Sequence, residues 1–306
     1  MRILLVVNSF ASSVTPRNTV LVHRHLARNH DVQVVETSER GHATRFARDA
    51  AERGLDAVVA FGGDGTLNEV ATGLAGSGTA LAMLPGGSTN VFVRSLGVSN
   101  DPLTALTQLV TAIERDEIGR INLGRANGRT FCFHAGIGWD AAVVEQVERR
   151  SSLKRFVGQP LFAWSALASW FFTYGRRFPH FTVDIDGRRI PDGYFSVVLN
   201  TDPYTYVGRN PIHLSRSAGL DKKLVVVTFR SLESLRMIGS LWQALRRGGL
   251  TPSSSVDIAT DVERVTFDFP APFPYQLDGD HLGGATTVEI EHLPEALLLV
   301  RPRLAG

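Results

Sequence analysis

One cysteine, Cys132, stands in 306 residues, flanked by Phe131 and Phe133. A lone thiol excludes an intrachain disulfide framework and any cysteine-cluster zinc or iron–sulfur centre. Its aromatic neighbours suit a buried, unreactive side chain. An excess of one charge is also missing, since 32 Lys and Arg face 30 Asp and Glu. So near a balance gives no general electrostatic footprint for nucleic acid, and no such partner is expected. Long apolar runs are lacking too. Ile3–Val7 is too short for a secretory core, and Leu161 to Tyr174 is shorter than the ~20 apolar residues of a bilayer span. The nine histidines show no metal-ligand spacing, and no nucleophile elbow announces Ser/His/Asp hydrolysis. What is present, 43% hydrophobic and 20% charged residues, fills a substantial core. The length suits about two domains. A cytoplasmic protein is expected, with peripheral contact at the inner membrane face left open.

In the first third, short β-rich runs alternate with longer helical patterns. Strands are expected at Ile3–Val7, Val32–Glu36, Leu55–Phe61 and Thr79–Leu84. Helices are expected around Thr19–Asn29, His42–Arg53 and Thr66–Leu74, with another opened by Asp101-Pro102. That alternation predicts βαβ units and a parallel sheet. Beyond about residue 117 the pattern turns to strands: Ile118–Leu123, Thr130–His134, Phe181–Ile185, Arg188–Ile190, Tyr194–Leu199, Leu224–Phe229, Val256–Thr260, Val265–Phe269 and Thr287–Ile290. Asn127-Gly128 and Asp186-Gly187 mark hairpin turns, and helices are expected near Asp140–Arg149 and Ser231–Arg247. The expected fold is an α/β domain over residues 1–120 and a mostly antiparallel, sandwich-like β domain over 121–290. Residues 291–306 are a candidate for return to the first domain.

Two glycine loops carry the chemistry of the first domain. Gly62-Gly63-Asp64-Gly65-Thr66-Leu67-Asn68-Glu69 follows the Leu55–Phe61 strand directly. Three glycines in four positions let backbone N–H groups approach phosphate oxygens at the start of the next helix. Thr66 can cap that helix or bond phosphate. Asp64 would repel phosphate, and fits instead a role toward Mg²⁺ through water or toward the nucleotide through a cation. The second loop, Pro85-Gly86-Gly87-Ser88-Thr89-Asn90, again lies between a strand and a helical run, Val91-Phe92-Val93-Arg94. In a parallel sheet both loops emerge beyond the carboxyl ends of strands, where open α/β folds bind ligands. Neither matches the P-loop or the Gly-x-Gly-x-x-Gly fingerprint. In the second domain, Asp278-Gly279-Asp280 taken by itself reads as a hairpin turn.

These motifs together resemble the diacylglycerol kinase catalytic-domain family, which includes bacterial soluble lipid kinases and is related to sphingosine kinases and more distantly to NAD kinases. The resemblance rests on Asn8, Gly62–Glu69, Pro85–Arg94, Gly136-Ile137-Gly138-Trp139-Asp140, Asn200 with Gly208, and Leu277-Asp278-Gly279-Asp280. It implies ATP and Mg²⁺ as cofactors and a lipid hydroxyl as acceptor, diacylglycerol or a related lipid. Asn8, Gly62, Gly63, Asp64, Gly65, Thr66, Glu69, Gly87, Ser88, Thr89 and Asn90 would hold the nucleotide. Arg94 would neutralise charge on the transferred phosphate, and Asp278 would take the proton of the acceptor hydroxyl. Asp280 stands where the family usually has glutamate.

Two departures bear on that implication. The chain has Asn8-Ser9-Phe10-Ala11-Ser12-Ser13 where members carry Asn-Pro and later Ser-Gly. It also has Asp221-Lys222-Lys223 where members with a structural Mg²⁺ commonly carry Asp-Asp-Gly or Asn-Asp-Gly, so that structural metal site is not expected. A kinase for a soluble nucleotide or polyol, and a non-catalytic lipid- or nucleotide-binding protein, are the competing readings. Residues 149–177 combine Arg149, Arg150, Lys154, Arg155, Arg176 and Arg177 with Trp164, Trp170, Phe171 and Phe172. They read either as a peripheral membrane contact or as a packed helix. Edge strands in the β domain leave a homodimer open.

Overall fold

The computed structural model describes residues 1–138, 180–231, 233, 239–240, 242–244 and 248–302. The helix expected near Asp140–Arg149, the basic and aromatic segment 149–177 and most of Ser231–Arg247 lie outside the described residues. The chain divides into two compact units. One comprises Met1–Leu123, Thr130–Cys132 and Leu293–Gly306, and the other Gly124–Arg129 and Phe133–His292.

The first unit alternates strand and helix: β1 (Arg2–Val7), α1 (Pro16–Leu26), β2 (Asp31–Glu36), α2 (His42–Glu52), β3 (Ala57–Gly62), α3 (Asp64–Leu74), β4 (Ala80–Pro85), α4 (Val91–Ser95) and α5 (Pro102–Glu114). The strands pair in parallel in the order β4-β3-β1-β2. Every residue of β3 and β4 is buried, as expected for apolar runs covered on both faces of a parallel sheet. Leu299 joins this sheet in parallel, opposite Leu81. Helices α2 and α3 pack closely because Gly73 has no side chain: a Cβ there would fall 2.5 Å from the Thr44 carbonyl oxygen.

Helix starts follow their caps. The Thr15 hydroxyl accepts from the Asn18 N–H at 3.1 Å ahead of Pro16. Asp101 Oδ1 accepts from the Thr104 N–H at 2.9 Å and the Thr104 hydroxyl at 2.8 Å, ahead of Pro102. These bonds favour the ionised carboxyl of Asp101 and hold it below the usual aspartate range, against a small opposing cost of desolvation. A depressed folded-state pKa contributes stability that is present above the unfolded pKa and lost as pH falls through the folded one. Asp101→Ala is therefore expected to cost about 1 kcal/mol in urea unfolding at neutral pH. The difference from wild type should shrink in acid, below both pKa values.

The second unit contains β7 (His134–Ile137), β8 (Phe181–Ile185), β9 (Arg188–Gly193), β10 (Phe195–Leu199), β11 (Thr205–Val207), β12 (Asn210–Ile212), β13 (Leu224–Phe229), β14 (Val256–Val262) and β15 (Arg264–Leu277). Strands β5 (Ile118–Ala126) and β6 (Arg129–Phe131) precede them, and β16 (Asp280–Val300) follows. Neighbours β14-β13-β10-β7-β15-β16 pair antiparallel, and β8 and β9 form a hairpin on the first half of β15. The core stacks Phe195 on Phe229, with ring centroids 4.0 Å apart, beside Leu199, Val225, Val227 and Val256.

Two details differ from the expected strands. The run Thr130–His134 is broken, with β6 ending at Phe131 and β7 starting at His134, because the peptide N–H groups of Phe133 and His134 turn to the Asp278 carboxylate. The runs Val265–Phe269 and Thr287–Ile290 extend into strands of 14 and 21 residues. Prolines 270, 272 and 274 and a register shift between Asp268 and Phe273 interrupt the alternation there. Pairing with β7 and β16 holds the segment extended all the same.

Candidate active site

Three loops of the first unit meet beyond the carboxyl ends of β1, β3 and β4. The Gly86 N–H donates to the Gly62 carbonyl at 2.7 Å, and the Ser13 N–H donates to the Gly86 carbonyl at 2.8 Å. A Cβ on Gly86 would fall 2.6 Å from Val14 Cγ2 and 2.8 Å from Gly62 Cα, and one on Gly87 would fall 2.9 Å from Gly63 Cα. These glycines are required by close approach of one backbone to another.

Side chains fix the loops from behind. Asn8 Nδ2 donates to Thr66 Oγ1 at 2.9 Å, while Asn8 Oδ1 accepts from the Phe10 N–H at 3.1 Å. The serine-rich departure at 9–13 thus keeps its attachment to the first glycine loop. Asn90 takes a left-handed conformation with φ 47°, a region that asparagine enters more readily than most residues. There its Oδ1 accepts from the Gly87 N–H at 2.9 Å and its Nδ2 donates to Asn100 Oδ1 at 2.6 Å.

Asp64 shows an arrangement that its position in a phosphate loop does not announce. Its Oδ2 accepts from the Val91 N–H at 2.9 Å and its Oδ1 from the Phe92 N–H at 3.2 Å. One carboxylate therefore ties the start of α3 to the start of α4. Desolvation pushes its pKa above the usual aspartate range, opposed by the two N–H groups and by the positive charge of Arg94. At the mouth, Ser88 and Gly65 are exposed and Thr89 is half-buried; Arg94 Nη1 lies 3.5 Å from the Thr89 carbonyl oxygen. The first-turn N–H groups of α3 lack intrahelical acceptors and carry the positive end of the helix dipole. Backbone amides, an open glycine and a guanidinium are groups with the chemistry to meet polyphosphate charge.

Glu69 points elsewhere. Its Oε1 accepts from the Gly41 N–H at 2.9 Å and its Oε2 from the Ala43 N–H at 3.1 Å. The carboxylate so caps α2, whose own Gly41 has no side chain to offer. Glu69→Ala is expected to lower stability by about 1 kcal/mol, and Glu69→Gln, which keeps one acceptor, by less. Thermal unfolding of the two variants checks this.

In the second unit Asp278 is buried, with 3% of its surface exposed. It sits in the left-handed region at φ 50°, in the turn between β15 and β16. Its Oδ1 accepts from the N–H groups of Phe133 at 2.9 Å and His134 at 3.0 Å, and its own N–H donates to the His134 carbonyl at 2.9 Å. Buried Gln276 closes the turn by accepting from the Gly279 N–H at 2.6 Å. Asp280 Oδ2 is 2.6 Å from Arg129 Nη2. Asp278-Gly279-Asp280 is thus both a turn and a rigid mount for one carboxylate. Gln276, Arg129 and Asn100 were missed by reasoning from sequence. Arg129 and Asp280 are separated by 151 residues, and no local pattern links them.

Among the described residues, no group of three or more His, Cys, Asp or Glu is arranged to hold a metal ion. No described helix is long and apolar enough to cross a membrane.

Residues 2–140 match the diacylglycerol kinase catalytic domain. The chain is similar to a diacylglycerol kinase of Bacillus subtilis, 38% identical over 126 residues that make up 40% of each chain. It is similar also to a probable lipid kinase YegS-like of Klebsiella pneumoniae, 40% identical over 33% of each chain. Both alignments span less than half of the relative's length. A probable lipid kinase YegS-like of Chromohalobacter salexigens is 29% identical over 279 residues, 88% of this chain and 84% of that one. A crystal structure of a putative diacylglycerol kinase from Bacillus anthracis shares the fold with a TM-score of 0.76 and 21% identity, covering 98% of this chain and 96% of that one. Residues 2–140, which include both glycine loops, thus carry the match to the diacylglycerol kinase catalytic domain.

Proposed function

We propose that the chain is an ATP-dependent lipid kinase, transferring the γ-phosphoryl group to a lipid hydroxyl of diacylglycerol or a related lipid. The observation that carries the reading is the joined backbone receptor of Gly62–Thr66 and Gly86–Asn90, locked by Asp64 and Asn8. It offers amides where polyphosphate charge has to be met. The match of residues 2–140 to a diacylglycerol kinase catalytic domain supports the transfer chemistry, and the hydrogen-bonded mount of Asp278 is offered as the acceptor side.

The acceptor oxygen forms a bond to the γ-phosphorus as the bond from that phosphorus to the β–γ bridging oxygen breaks, leaving ADP. The hydroxyl proton passes to the Asp278 carboxylate as the new bond develops. Two backbone N–H groups on Oδ1 fix the direction from which that carboxylate accepts it. Loop amides and Arg94 meet the negative charge on the phosphoryl oxygens. Mg²⁺ would come with ATP and would supply positive charge against that of the phosphates. Both oxygens of Asp64 face backbone N–H groups, so a role for Asp64 toward that ion would run through water. Peripheral membrane contact through residues 149–177 belongs to the same reading, because the acceptor is held in a bilayer.

The test is transfer of radiolabelled γ-phosphate from ATP, with Mg²⁺, to mixed lipid vesicles, followed by mass analysis of labelled lipid. A labelled lipid is expected. Label confined to a soluble acceptor would replace the lipid, and nucleotide binding without any transfer would leave a binding protein.

A further inference from the structure

Phe10 has no role in the phosphoryl-transfer reading, and its place in the first unit calls for one. A phenyl ring is among the largest apolar groups that a folded chain can bury, yet this residue is 80% exposed. Among the described residues of that unit it is the one exposed aromatic; the other exposed large apolar residues are Met1, Val20, Val34 and Leu103. The ring does not hang from a loose loop. The Ala11 N–H donates to the Asn8 carbonyl at 3.1 Å, which closes a four-residue turn with Ser9 and Phe10 at its corner. The Val14 N–H donates to the Ala11 carbonyl, also at 3.1 Å. Ser9, Ala11 and Ser12 beside Phe10 have small side chains and leave its ring uncovered.

That turn is fastened to both glycine loops. The amide of Asn8 that accepts from the Phe10 N–H at 3.1 Å also donates to Thr66 Oγ1 at 2.9 Å. Three residues after Phe10, the Ser13 N–H donates to the Gly86 carbonyl at 2.8 Å. Phe10 thus lies between the two attachment points, and all of these residues belong to the first unit. The strand order β4-β3-β1-β2 places the loop after β1 next to the loop after β3, about 4.8 Å away in the pairing direction. A nucleoside triphosphate with its phosphates on the loops after β3 and β4 is longer than one such spacing, so its base reaches the loop after β1. On the other side, the second glycine loop leads into α4, where Val91, Phe92 and Val93 are all buried and offer no open ring. A base has two π faces, and stacking one of them on Phe10 gives the phenyl the contact that the fold withholds.

We propose that Phe10 is the stacking platform for the nucleotide's base: the turn at Asn8–Ala11 recognises the base of ATP while the two glycine loops meet its phosphates. The inference rests on the reading of those loops as the polyphosphate site. It adds a contact for the part of ATP that backbone amides do not meet.

Calorimetry with two probes, ATP and inorganic tripolyphosphate, each with Mg²⁺, tests this on the full chain without turnover. The probes share a triphosphate and differ in the base and sugar. Phe10→Ala is expected to weaken ATP binding at least about fivefold, the lower end of what a base–aromatic stack contributes, and to leave tripolyphosphate affinity unchanged. Phe10→Trp, which keeps an aromatic face, should bind ATP about as wild type does. Because the ring is exposed, its removal leaves no cavity, and the melting temperature should hold in both variants. Unchanged ATP affinity in Phe10→Ala, or equal losses for the two probes, would overturn the proposal. The first of these, joined to weaker binding of the variant to phosphatidylglycerol vesicles, would assign the ring to a bilayer instead. A wild type that binds neither probe would remove this site and the nucleotide reading together. A loss confined to ATP, without phosphate transfer to any lipid by wild type, would leave the base site standing and remove the kinase reading alone.

Discussion

Asp278→Asn should reduce lipid phosphorylation by roughly 10²–10⁴-fold, the range lost when a positioned general base is removed. Asparagine keeps an oxygen that accepts from the Phe133 and His134 N–H groups, and it tolerates the left-handed conformation observed at φ 50°. What disappears is the capacity to take the acceptor's proton. ATP affinity and melting temperature should therefore stay close to wild type, because every residue proposed to face the nucleotide belongs to the other unit. Alanine is the poorer choice: it would leave two N–H groups without an acceptor and strain the turn. The measurement is the vesicle transfer assay run beside ATP binding for both proteins. Undiminished transfer by the asparagine variant would take Asp278 out of the chemistry and reduce Asp278-Gly279-Asp280 to its turn. Parallel losses of transfer and thermal stability would say that the substitution broke the mount, not the mechanism.

Legibility in the sequence followed the range of the interaction responsible. The first unit could be read because its signals are local: an apolar run for each strand, Asp101-Pro102 for a helix start, and glycines where a backbone turns at a strand end; the Thr15-Pro16 start of α1, three residues ahead of the expected Thr19, went unread. Its helix after the first glycine loop begins at Asp64, two residues ahead of the expected Thr66, since glycine obscures helical periodicity. The second unit was harder. Proline-containing β15 resembles a loop until β7 and β16 are laid beside it, and the break after β6 depends on a carboxylate 145 residues away. The same limit applied to the site. Gly62–Thr66 and Gly87–Asn90 were legible as glycine loops between strand and helix, but the bonds that make them one body cross between loops: Asp64 to α4, Asn8 to Thr66, Asn90 to Asn100. Glu69 lay in the motif and looked like a ligand residue, yet its carboxylate is directed to α2 by backbone N–H groups 26 and 28 residues earlier.

Because those bonds make the receptor a single body, one methyl group between its halves should disable it. In Gly87→Ala the new Cβ would lie 2.9 Å from Gly63 Cα and 3.0 Å from Asn90 Oδ1. The first obstacle is backbone and cannot rotate away, so one loop has to move. Overpacking of this kind costs about 1–3 kcal/mol, and the movement also displaces the amides that face phosphate. At about 1.4 kcal/mol per tenfold, the KM for ATP is expected to rise at least about tenfold, with a measurable fall in melting temperature. Gly65→Ala separates the two contributions. Gly65 is exposed, and nothing lies within 4 Å of a Cβ built there, so the protein itself has room for the methyl. Its melting temperature should match wild type, and a rise in KM for ATP would then report phosphate lying against the Gly65 backbone. If Gly65→Ala leaves both quantities unchanged while Gly87→Ala raises KM, the phosphates sit over the second loop instead. If Gly87→Ala alters neither, the two loops do not act as one receptor, and the nucleotide site has to be sought elsewhere in the first unit.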